Sequence, residues 1–80
     1  MNGKAYVIIK TTVHNAGSQP RLTSEADHIY GSYADAVARL DELQARNEQH
    51  ADVDRLDEMT LSLNFGDTKM IYSIDSALID

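Results

Sequence analysis

Between Ala5 and Val13 the chain alternates in twos. Ala5, Val7, Ile9, Thr11 and Val13 fall on one side of an extended backbone, and Tyr6, Ile8, Lys10 and Thr12 on the other. β-Branched residues recurring with that period predict a strand. Its second side is also apolar near the start, which suits a central strand. The next stretch, "HNAGSQPRLTSEAD" from His14 to Asp27, gathers the only proline, a glycine and several small polar residues, and reads as a loop of fourteen residues. Loops beyond about 12 residues tend to be functional or mobile, so a binding element or a loose connection is expected there.

"HIYGSY", His28 to Tyr33, predicts a short strand running straight into a helix. Ser32 is placed to cap that helix, its hydroxyl accepting from the free amide of Asp35 in an S-x-x-D variant of the capping box. Over "YADAVARLDELQARNEQ" the residues Tyr33, Ala36, Val37, Leu40 and Leu43 recur at three and four and form one apolar stripe. Asp35 with Arg39, and Glu42 with Arg46, are four-spaced opposite charges on the far side. After the polar run "NEQHADVDR", Met59, Leu61, Leu63 and Phe65 alternate with Glu58, Thr60, Ser62 and Asn64, a strand with one dry and one wet face. "GDT", Gly66 to Thr68, offers a positive φ at Gly66 or Asp67 for a tight hairpin. A last strand carries Met70, Tyr72 and Ile74 on one side and Ile71, Ser73 and Asp75 on the other.

The order is β-β-α-β-β. It predicts one α+β domain over residues 1–80, a four-stranded, mainly antiparallel sheet with one helix on one face. The opposite face is open, and the alternation assigns Tyr6, Ile8 and Ile71 to it, amid Lys10, Thr12, Thr60, Ser62, Asn64 and Ser73. Three large apolar groups on an uncovered face mark an interaction surface. Tyr6 and Tyr30 are further expected to take an exposed, interfacial role, with Tyr33 and Tyr72 in the core. Leu78 and Ile79, in the closing "DSALID", are odd for a solvated tail and would extend the last strand or clasp a second subunit.

Composition narrows the chemistry. Eighty residues bury only about 60 to 65% of the unfolded chain's surface, and a core that small rarely supplies more than ~3 to 5 kcal/mol. No cysteine is present, so disulfides and thiolate metal sites are excluded. Thirteen acids against seven bases give a net charge of −6, which opposes direct binding of nucleic acid or anionic lipid. The N-terminal apolar run of four residues, closed by Lys10, is far short of a signal-peptide core or a spanning helix. A soluble, unprocessed, cytoplasmic protein with no membrane contact is the expectation.

His14, His28 and His50 sit in three separate segments without H-x-x-x-H spacing, so neither a metal nor a cofactor is expected. Asp27 and His28 are neighbours on a strand and point to opposite faces, a poor base pair. No nucleophile elbow and no phosphate-cradling glycine loop occurs, and no catalytic residue is assigned. Asp52, Asp54 and Glu58 offer oxygen ligands but lack the glycine and twelfth-position glutamate of a calcium loop. Seven of the thirteen acids fall between Asp41 and Glu58. Asp41, Glu42, Asp52 and Asp54 would there meet a basic partner, or the cluster serves solubility alone.

The succession "AYVIIKTTV", then "IYGSYADAVARLDEL", then a hairpin resembles small uncharacterised proteins of bacteria, prophages and phages. In these, a strand ending in glycine and tyrosine leads into a helix with an alanine-rich stripe. The resemblance covers most of the chain and transfers no catalytic or binding residue. It implies a mobile-element setting in which small acidic proteins dock on and block larger host machinery, including defence nucleases.

The sequence thus supports a non-enzymatic protein-binding module that self-associates as a homodimer or docks on a larger partner through its open sheet face. One alternative is an anti-CRISPR-like inhibitor whose acids face a basic, nucleic-acid-handling site. The other is a small ligand-binding domain or enzyme using His14 and His28.

Overall fold

A computed structural model describes residues 3–16 and 19–79. The elements are β1 (Gly3–Ala16), β2 (Gln19–Tyr30), α1 (Tyr33–Asn47), β3 (Asp52–Asp57), β4 (Thr60–Asn64) and β5 (Thr68–Ile79). The fold is α+β with one helix, but the sheet has five strands rather than four, in the order β2-β1-β5-β4-β3 with every pairing antiparallel. β1, β2 and β5 are long, and their length at about 3.3 Å per residue sets the 49 Å long axis of the molecule.

Two segments expected to be irregular are strands. Most of the expected loop His14–Asp27 belongs to β2, which pairs with β1 from Tyr6↔Tyr30 to Ala16↔Gln19. The polar run before Leu56 supplies β3, paired with β4 from Asp52↔Asn64 to Asp57↔Thr60. Both are edge strands, held on one side by backbone hydrogen bonds and open to water on the other, so they need little apolar alternation. Charges and a proline on an edge also discourage pairing with other chains, and Pro20, Arg21, Glu25, Asp52 and Asp54 lie there. β5 runs on past Asp75, and its pairing with β1 reaches Gly3↔Ile79. The idea that Leu78 and Ile79 clasp a second subunit falls on side chains outside those described.

The helix begins as its sequence dictates. Ser32 is extended (φ −136°, ψ 149°) and its Oγ accepts from the Asp35 amide at 3.2 Å. Asp35 in the first turn and Arg46 in the last complement the helix dipole. Arg46 pairs with Glu42 as the spacing predicts. Arg39 turns instead to Glu42 at 3.0 Å and to Asp27 on β2 at 3.8 Å, which ties the helix to the sheet edge. Gly66 takes the positive φ (95°) of the β4–β5 turn.

Ala36, Leu40 and Leu43 meet Ile8, Leu61, Leu63, Tyr72 and Ile74 in the core. The register explains the set: Ile8 pairs with Ile74, and Tyr72 with Leu61, so these alternate residues share the helix-covered face. This corrects the placement of two residues. Ile8 is fully buried beneath the helix. Tyr6 lies on the same face, half-buried, its ring edge-on to Tyr33 with centroids 5.6 Å apart. The exposed, interfacial role expected of Tyr30 changes likewise, because Tyr30 pairs with Tyr6 and packs on the core.

Candidate functional site

With Ile8 under the helix, the odd-numbered residues of β1 must face the other way. Pairing then brings three strands into one open surface. Val7 lies between Ile29 of β2 and Asp75 of β5, and Ile9 between Ala26 and Ser73. Thr11 lies between Ser24 and Ile71, and Val13 between Leu22 and Lys69. The Thr11–Ser24 hydroxyl hydrogen bond at 3.1 Å confirms that these two side chains share a face. Leu22 and Ile29 are 69% and 64% exposed, and both lie on this face. Ile71, assigned to this face from sequence, is on it and half-buried. Along β4, half-buried Thr60 and exposed Asn64 continue the same face, with Ser62 buried between them.

The acids named for partner contact divide between layers. Asp41 and Glu42 are on the helix and already engaged, Asp41 with Arg55 at 2.9 Å and Glu42 with Arg39 and Arg46. Asp52 and Asp54 are on β3, paired with Asn64 and Ser62, and therefore on the open side. No ion pair engages either of these two among the described residues.

Arg55 holds the helix layer to the β3 edge. Its Nη1 donates to Asp41 Oδ1 at 2.9 Å and Gln44 Oε1 at 3.0 Å, its Nη2 to the Glu58 carbonyl at 2.9 Å, and its Nε to the Asp57 carbonyl at 2.7 Å. Arg55→Ala is expected to lower unfolding free energy by about 1.5 to 3 kcal/mol in urea titrations, as charge-assisted bonds do when one partner is removed. Arg55→Lys recovers little of it, because an ammonium cannot span the fork. A loss below about 0.5 kcal/mol, the range of ordinary surface changes, would show the contacts to be incidental.

Beside this clamp Tyr33 Oη donates to Glu58 Oε1 at 2.7 Å. That hydrogen bond foremost, with the negative charges of Glu58 and Asp57, pushes the Tyr33 phenol up to about 12 from its ordinary 10.0. The fold favours the neutral phenol, so the contribution is complete below pH 10 and is lost as pH rises through about 12. In an alkaline titration followed by phenolate absorbance, Tyr33→Phe should remove a step near pH 12. Removal of a step near pH 10 instead would show that the bond does not form in solution.

The histidines do not converge. His14 Nδ1 is 2.8 Å from Thr68 Oγ1, at the far end of β1, whereas His28 lies tilted against Tyr30 and pairs with Ile8, six residues back along β1 and roughly 20 Å away. A shallow depression of ≈ 430 Å³ between Glu48–Asp52 and Asn64–Gly66 contains His50 alone of the three. Among the described residues no group of three or more His, Asp or Glu side chains is placed to hold a metal ion. No described helix is long and apolar enough to cross a membrane.

Fold and surface together define a small α+β domain with one sheet face closed by a helix and the other carrying a solvent-facing apolar stripe. No family model matches the chain, and neither a curated protein nor a solved structure does so.

Proposed function

We propose that the chain is a non-enzymatic protein-binding module whose docking surface is the open face of β2, β1 and β5. One observation carries this reading: Ile29, Val7, Ile9, Ile71, Val13 and Leu22 share one sheet face, the side away from the helix, and no element among the described residues packs on it. An apolar strip rimmed by Lys69, Asp75 and Asp54 has the composition of an interface, apolar in the middle and polar at the edge. A basic partner meeting Asp41, Glu42, Asp52 and Asp54 together is less well served, since these residues occupy two layers and two of them are already neutralised. A small-molecule site using His14 and His28 is poorly served, since the two are held six residues apart along β1.

Site-specific photocrosslinking tests the reading. A photoreactive residue at position 71 should give protein adducts, with a second copy or with another chain, in extract of the cells that make the protein. The same residue at position 46, on the outer helix surface, should give none. Adducts from position 46 with none from 71 would overturn the assignment of the face.

A further inference from the structure

The open face is complementary to itself. Two of its rows are Leu22, Val13 and Lys69 toward one end, and Ile29, Val7 and Asp75 toward the other. They flank the level at which Lys10 pairs with Tyr72, three residues away along β5 in each direction. A two-fold axis lying between two stacked sheets, perpendicular to the strands at that level, exchanges the two rows. Each strand then stacks on its own copy in the opposite direction. Leu22 meets Ile29, Val13 meets Val7, Ile9 meets Thr11, and Lys69 meets Asp75. Neither Lys69 nor Asp75 is in an ion pair among the described residues, and both are exposed.

Resting on the docking reading above, we infer that the occupant of this face is a second copy of the chain, related by that axis, with Lys69 of each copy paired to Asp75 of the other. Isologous contact requires this self-complementarity. Sheets stacked about 10 Å apart leave room for a lysine and an aspartate to meet between them. The alignment also sets limits. Asp54 would approach Asp57 of the second copy at the β3 rim, and those like charges confine the contact to β2, β1 and β5. A three-stranded contact is at the small end of specific interfaces, so association belongs in the micromolar range.

Sedimentation equilibrium of the purified full chain tests the pairing. The wild type should dimerise at micromolar concentration. Lys69→Asp opposes two acids at each end and Asp75→Lys opposes two lysines, so each variant alone should dimerise at least about tenfold more weakly, two inverted surface pairs at ~0.7 kcal/mol apiece. An equimolar mixture of the two variants should form a heterodimer, because every pair is again opposite in sign. The double variant Lys69→Asp/Asp75→Lys should dimerise like wild type. These positions are exposed, and circular dichroism checks that the fold is retained. A wild type that stays monomeric, a dimer indifferent to both charges, or a mixture no tighter than its components would each overturn the inference. A monomeric wild type whose position 71 crosslinks to a different protein removes the second copy and leaves the docking face in place; no adduct from position 71 at all removes both.

Discussion

Glutamate in place of Ile8 is expected to abolish the folded state. Ile8 is 0% exposed, on a strand flanked by β2 and β5 and roofed by the helix. The substitution removes a fully buried aliphatic side chain, worth about 1.5 to 3 kcal/mol of transfer free energy. It also buries a carboxylate beneath the helix, a penalty of several kcal/mol more even after relaxation. A domain of this size holds only ~3 to 5 kcal/mol in its core, so the sum exceeds what is available. Far-UV circular dichroism and amide proton dispersion at neutral pH should show an unfolded chain. A cooperatively folded Ile8→Glu variant would mean that the helix does not cover this side of β1. Ile71→Glu is the necessary contrast: it lies on the open face, half-buried, and should fold while losing association. The pair of substitutions separates a core face from a docking face, which a single glutamate scan along one strand would confuse.

The faces of β1 show where sequence is informative and where it is not. Both sides of Ala5–Val13 are apolar at one end, and alternation alone cannot say which of two apolar sides meets the helix. The decision lies in register, which places Ile8 opposite Ile74 and Tyr6 opposite Ser76, next to Tyr33. Lys10 is the misleading residue, because a lysine marks a side as wet. Here it remains on the core side at its margin, with its ammonium 2.9 Å from Glu25, the stem covering apolar surface while the head stays in water. Glu25 falls within the stretch whose composition predicts a loop, so its pairing with Lys10 follows only from the register of β2 on β1. The Ser32 cap, the helical stripe and the Gly66 turn were legible because each is a local requirement of a few neighbouring residues. Residues 19–27 of β2 and the whole of β3 are not, since an edge strand is stabilised through backbone partners distant in sequence and can be polar on both sides. The open-face apolar strip depends on two facts that alternation does not carry, the register of β1 and the extension of β2 back to Gln19. Of its residues only Ile71 was placed correctly from alternation.

Leu40→Ala should cost about 2 to 5 kcal/mol, the usual range for emptying a fully buried leucine site, and so should bring the chain close to its unfolding midpoint in water. Leu40 is 0% exposed, midway along the fifteen-residue helix. A helix of that length is marginal by itself in water, so α1 persists only through what it buries and through the polar ties of Arg39 and Arg55. Of its three buried residues Ala36 is too small to contribute much and Leu43 is nearer the C-terminus, which leaves Leu40 as the main apolar anchor. Leu40→Met conserves volume and should cost less than about 1.5 kcal/mol, separating the cavity from any effect of losing leucine's shape. Urea midpoints measure the difference, and amide exchange locates it: protection should fall first in α1, while the β1–β5 pairing outlasts it. The associative consequence is specific. Lifting the helix bares Ile8, Leu61, Leu63 and Ile74 on the reverse of a sheet that is already apolar on its front, and a chain with two adhesive faces no longer forms a closed pair. Leu40→Ala should therefore shift sedimentation from a dimer limit toward open-ended assembly. A loss under about 1 kcal/mol with an unchanged dimer limit would mean that the helix is not what keeps the second face of the sheet out of contact.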